Sequence, residues 1–178
     1  QDKKMRYDYE QEEFFSKTTQ FASCWFKGDK ESLAMWKLYS HNGGVAIKFN
    51  AKELIKAVIN TANNLMDEDF QILYFGDVEY KNIWPFDINT AYENKFSGLK
   101  KDFSYSHENE FRFVAVVPTA KANCHINFSL EISNLESLNL EIIANPFMAK
   151  WEHQTLADLL DKFSLKDYLI KSHIDIRK

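Results

Sequence analysis

Between His107 and Val117 the chain sets Glu108, Glu110 and Arg112 at every second position of an otherwise apolar run. Side chains on a β-strand alternate between its two faces. The three charges would therefore share one face, with Phe111, Phe113, Ala115 and Val117 on the opposite, core-side face. Two carboxylates and a guanidinium converging in this way form either an active-site wall or a structural ion-pair network. In the second case Arg112 bridges Glu108 or Glu110, or pairs with Glu31. The residues alone leave both readings open.

A second constellation is Glu31 with Trp36 and Tyr39. On a helix, Glu31 and Tyr39 fall within roughly 80° of each other. Aromatic surface beside a carboxylate can stack a base or nicotinamide ring and bind a hydroxyl. The structural alternative makes Trp36 a core residue and Glu31 a charge that favours the helix dipole. Cys24 and Cys124 are the only cysteines, each in apolar company. They are expected to be buried free thiols, not bonded to each other, in a reducing cytoplasm. None of His41, His107, His125, His153 and His173 falls into a His-x-His or His-Glu-x-x-His spacing, so no metal site is expected. Phosphate loops and nucleophile elbows are also missing from the sequence. Lys100-Lys101 suits either a phosphate contact or a solvated helix end.

The elements that must carry these residues follow from periodicity. Phe21 to Phe26 reads as a strand, and Asp29 as the N-cap of a largely buried helix from Lys30 to Tyr39. Val45 to Phe49 alternates as a strand. Asn50 caps a helix whose stripe is Leu54, Ala57, Val58, Thr61, Ala62 and Leu65, followed by an acidic turn at 66–69. Phe70 to Lys81 forms one or two strands, with a bulge or turn at Gly76-Asp77. Thr90 to Glu93 has capping-box form, predicting a helix from Ala91 to Lys101. The strand from Glu110 to Val117 stops at Pro118 and can pair with a strand over 124–130. A short apolar run at Leu140 to Ala144 ends at Asn145-Pro146. Leu156, Leu159, Leu160 and Phe163 stripe a last helix, and Tyr168 to Ile176 closes the chain as a strand. This mixture predicts an α+β fold with a mixed or mainly antiparallel sheet and three to four packed helices.

The 178 residues suffice for a real core and are read as one domain over 1–178, with 1–19 loosely attached. A net charge of −4 disfavours a broad basic surface for duplex nucleic acid. No apolar run reaches the ~18 residues of a membrane span, and the start lacks a secretory signal. A cytoplasmic protein without membrane attachment is expected. The chain starts at Gln1 rather than Met, as a trimmed or partial chain would.

Several pieces in order resemble a bacterial family of unknown function, the domain numbered twenty-nine seventy-one. They are Cys24-Trp25, Glu31-Ser32, Met35-Trp36 with Tyr39, Gly44 to Ile47, and Val78-Glu79-Tyr80. Further on come Lys100 or Lys101, Glu108 to Arg112, Asn145-Pro146 with Trp151, and Ser172. Longer members of that family begin with a further N-terminal segment not found here. The resemblance implies a soluble bacterial protein with no established reaction. The Glu-x-Glu spacing also resembles the strand of ADP-ribosyltransferases. There the later glutamate binds the ribose of NAD and stabilises positive charge as nicotinamide leaves. That likeness implies Glu110 as catalytic, Glu108 as its assistant, and NAD as cofactor. The Ser-Thr-Ser strand of those enzymes has no clear counterpart. The expectation is a nucleotide-linked, defence-related enzyme or effector in which Arg112, Glu31, Trp36 and Tyr39 bind the substrate. The alternative is a non-catalytic module that recognises another protein.

Overall fold

Two compact units divide the chain: residues up to Gly28 with Ala62–Ser129, and Asp29–Thr61 with Leu130 onward. The computed structural model describes residues 18–41, 43–65, 72–82, 94–118 and 135–175. Both helices and mostly antiparallel strands are present, as the α+β expectation requires. The acidic turn at 66–69, the strand over 124–130, Cys124, the side chain of Leu65 and the final Ile176 lie outside the described residues.

The first unit is organised around β6 (Glu110–Val116), which is flanked antiparallel by β1 (Gln20–Phe26) and β3 (Ile72–Asp77). The register aligns Cys24 and Gly76 on either side of Arg112, and Trp25 and Asp77 beside Phe111. One face gathers Phe75, Phe111 and Phe113 with ring centroids 5.3–6.1 Å apart, a spacing that favours tilted aromatic pairs. On that face Ala115 and Val117 are buried against Phe21, Leu73 and Ala62. Phe111 itself is only half-buried. The opposite face is also covered, since Val114 is fully buried there.

A two-stranded parallel ribbon joins β4 (Glu79–Lys81) to β5 (Lys100–Asp102). The helix expected from Ala91 to Lys101 is instead a 3-10 helix, Asn94–Leu99, running into β5; residues 91–93 lie outside the described set. Gly98 sits where no side chain fits. A Cβ there would lie 2.7 Å from the Tyr74 hydroxyl and 2.9 Å from Val114, well inside van der Waals contact. A second 3-10 turn, Phe103–Glu108, follows β5, capped by Asp102, whose carboxylate accepts from the Ser104 amide at 2.9 Å.

The second unit holds β2 (Val45–Lys48), β7 (Glu141–Ala144) and β8 (Leu169–Lys171) in that order, the first pair antiparallel and the second parallel. Leu140, Ile142 and Leu160 form its core with Phe49, Leu156 and Leu169. The last strand is shorter than the expected Tyr168 to Ile176, because Lys166–Tyr168 forms a 3-10 turn and pairing ends at Lys171. Helix α1 covers Leu33–Tyr39, α2 Ala51–Leu65 and α3 Lys150–Asp161. Asn50 caps α2 as expected, accepting from the Lys52 and Glu53 amides. Leu54 and Val58 of its stripe are buried, each stabilising by about 1.5–3 kcal/mol.

Helix α1 departs from expectation twice. It starts at Leu33, not Lys30, because the Ser32 hydroxyl accepts from the Met35 amide and fixes the N-cap one turn later. It is also not largely buried: of its side chains only Trp36 is, while Leu33, Leu38 and Tyr39 are exposed. In α3 the stripe is likewise half-realised, with Leu160 buried and Leu159 exposed; Phe163, beyond the helix end, is exposed too.

Candidate functional site

In the first unit Glu108, Glu110 and Arg112 do converge, but not as three residues of one strand. Asn109 takes a left-handed conformation (φ 39°, ψ 58°) that ends the 3-10 turn, so the strand begins only at Glu110. This kink suits Asn, whose short polar side chain tolerates that region; it is tethered to the Lys27 carbonyl. Glu108 therefore belongs to the turn, and its carboxylate still meets that of Glu110 because both are held by Lys101 of β5. Lys101 bonds Glu108 closely and Glu110 at 3.2 Å, and its ammonium lies 4.6 Å from the centre of the Tyr105 ring.

The other side of Glu110 belongs to Arg112. Its Nε donates to Glu110 Oε2 at 2.7 Å, and its Nη1 donates to the Gly98 carbonyl at 2.9 Å. The Glu110 amide donates to the Tyr80 hydroxyl at 2.8 Å. Glu108 and Glu110 are only 2% and 8% exposed. Burial on its own would lower the Lys101 pKa, but the hydrogen bonds and charges of Glu108 and Glu110 outweigh it and raise it. The result is a chain of four charges, Glu108–Lys101–Glu110–Arg112, each paired with the next. Lys101 is the member that sequence reasoning missed. Its role depends on β5, which periodicity read as the end of a helix.

Cys24 faces Arg112 across the sheet and is exposed, a correction to the buried thiol expected from its apolar neighbours. Trp25 and Phe26 flank it on an outer strand rather than in a core. Partial desolvation raises the thiol pKa, with Arg112 opposing. A thiol held in its neutral form is a poor nucleophile.

Glu31, Trp36 and Tyr39 belong to the second unit, and Glu31 is the hub there. Its Oε2 accepts from the Trp36 indole Nε1 at 2.9 Å and from the Ser172 hydroxyl at 2.7 Å; its Oε1 accepts from the His173 amide at 2.6 Å. Burial works to raise the Glu31 pKa, but the bonds from Ser172, His173 and Trp36 prevail and lower it. Glu31 thus orients Trp36 instead of pairing with Arg112. Tyr39 is 63% exposed, near the end of α1.

Beside Trp36 lies an open cleft of about 680 Å³, lined by Trp36, Lys37, Ser40, His41, Gly43, Phe147 and Glu152. Its rim is rigidly built. Buried Asn145 donates to the Ser40 hydroxyl and the His41 carbonyl, both at 3.0 Å, and accepts from the Phe147 amide at 2.8 Å. Glu152 reaches back from α3 to the Ala149 amide through Oε2 at 2.8 Å. Its Oε1 lies 3.4 Å from where a side chain on Gly43 would begin, so the glycine keeps space before it open. Sequence reasoning found Trp36 but not Lys37, His41, Phe147 or Glu152. Asn145-Pro146 and Gly44, which contributed to the family resemblance, were the signals toward this rim. Among the described residues no group of three or more His, Cys, Asp or Glu can hold a metal ion, and no helix is long and apolar enough to cross a membrane.

No curated protein and no solved structure matches the chain. A family match covers residues 35–113, which contain Trp36 to Gly43 of the cleft and the Glu108 to Arg112 cluster. Residues 35–113 match the family described as Protein of unknown function (DUF2971), the family that the sequence resembles.

Proposed function

We propose that the protein is a nucleotide-linked enzyme or effector whose ligand, NAD or a related nucleotide, binds in the cleft beside Trp36. The observation that carries this reading is the cleft itself. Its size falls within the ~300–1,000 Å³ typical of small-molecule sites, and its lining mixes aromatic surface with a few polar groups. Trp36 and Phe147 offer ring surface for a base, Lys37 and His41 can face phosphate, and Glu152 can accept from a ribose hydroxyl. The Glu108–Lys101–Glu110–Arg112 chain of the first unit supports the same placement by its own pairing. Its charges are engaged with one another, so in this reading they brace the first unit and the ligand goes elsewhere.

A second reading, a module that recognises another protein, is favoured by the exposed apolar side chains of the second unit. Trp151, 70% exposed, is the largest of them, with Leu38 and Tyr39. Amide chemical-shift mapping with NAD, ADP-ribose, ATP and mononucleotides separates the two. Saturable shifts at Lys37, His41 and Phe147, weakened at least severalfold by Phe147→Ala, are expected. The absence of shifts at those residues with every member of the panel at millimolar concentration would overturn the nucleotide reading and leave the module.

A further inference from the structure

Trp36 lines the cleft, yet its only polar side-chain atom donates to Glu31, which does not line it. That carboxylate is shared. The Ser172 hydroxyl bonds the same oxygen as the indole, the His173 amide bonds the other, and the Ile174 amide in turn donates to the Ser172 hydroxyl at 3.1 Å. Ser172 and His173 come directly after β8, some 140 positions along the chain from Glu31. We propose that residues 172–174 are a latch that positions the cleft, with Glu31 as the positioning residue between latch and wall.

A carboxylate with three donors converging on it has a single orientation that satisfies all three. Removing the Ser172 hydroxyl leaves Glu31 free to turn toward the remaining donors and water. The indole then loses its fixed partner, and a nearly buried Trp36 must find a new orientation or leave its N–H unsatisfied. A site works only when its supporting groups hold it within a fraction of an ångström. The latch therefore acts on ligand affinity through Trp36 without touching the ligand. In that respect the proposal rests on the cleft being the binding site.

The test has one readout independent of any ligand and one dependent on it. Solvent exchange of the Trp36 indole proton, assigned by its loss in Trp36→Phe, is measured in the wild type, Ser172→Ala and Ser172→Thr. Exchange should rise about five- to tenfold in Ser172→Ala and return toward wild type in Ser172→Thr, which keeps the hydroxyl. Unchanged exchange in a folded Ser172→Ala overturns the latch. NAD titrations on the same proteins should show weaker binding in Ser172→Ala and recovery in Ser172→Thr. Equal affinity in the wild type and Ser172→Ala also overturns the latch. Failure of the whole nucleotide panel to bind the wild type, with exchange altered in Ser172→Ala, instead overturns the cleft reading and supports the latch as a positioning device.

Discussion

Glu110 accepts from two cations at once, and this decides what a single substitution does. Glu110→Gln keeps the shape but loses the charge that holds Lys101 and Arg112. Urea or thermal melts should show it destabilised by about 1–3 kcal/mol, because two partly buried cations lose a charged acceptor. Glu31 supplies a pH signature of a different kind. Its folded-state pKa is lowered by Ser172, the His173 amide and Trp36 against the opposing effect of burial. A depressed carboxylate stabilises the fold above the ordinary value of 4.5 and loses that contribution as pH falls through its folded value. The stability gap between wild type and Glu31→Gln should therefore be full near neutrality and should close in acid. Lys101 behaves in the opposite sense: its raised pKa gives a contribution complete below 10.5 and lost as pH rises through the folded value. A gap between wild type and Glu31→Gln that stays constant from pH 7 to pH 3 would contradict the hub role of Glu31.

Helix and strand ends, more than their middles, shape the two candidate sites. The alternation of Glu110, Arg112 and Val114 against Phe111, Phe113 and Ala115 was legible, and so was the α2 stripe around Leu54 and Val58, because both are long and strongly periodic. Two boundaries were not. Asn109 turns left-handed and removes Glu108 from the strand, while Lys100 to Asp102 pairs with β4 although its composition suits a helix end. Neither event leaves a period in the sequence; each is decided by a tertiary partner, Lys27 in one case and the Tyr80 strand in the other. Val58→Asp should abolish folding, since it forces an unpaired carboxylate into the α2 face. Gly44→Ala should be severely destabilising for a local reason. An added Cβ clashes with the Ser40 hydroxyl and comes within 3.1 Å of the His41 carbonyl, breaking the rim that Asn145 ties together. Circular dichroism melts check both substitutions.

At the scale of the whole chain, each unit supplies one of the two constellations that residue types alone suggested. The first links Glu108 to Glu110 through Lys101 and Glu110 to Arg112; the second fastens Glu31 to Trp36 beside the cleft. The pairing of Arg112 was legible as a choice among Glu108, Glu110 and Glu31, and the geometry selects Glu110. The cleft was not legible, because Phe147 and Glu152 lie more than a hundred positions from Lys37 and His41 and share no motif with them. The central claim is that the ligand belongs to the cleft and the Glu-x-Glu-x-Arg cluster to the framework. Calorimetric titration of NAD and the nucleotide panel into wild type, Lys37→Glu with Phe147→Ala, and Glu110→Gln tests it most directly, below the melting temperature of each. Saturable binding to wild type, loss in the cleft double variant, and retention in folded Glu110→Gln are expected. Binding that survives in the cleft variant and disappears in a folded Glu110→Gln would contradict the claim.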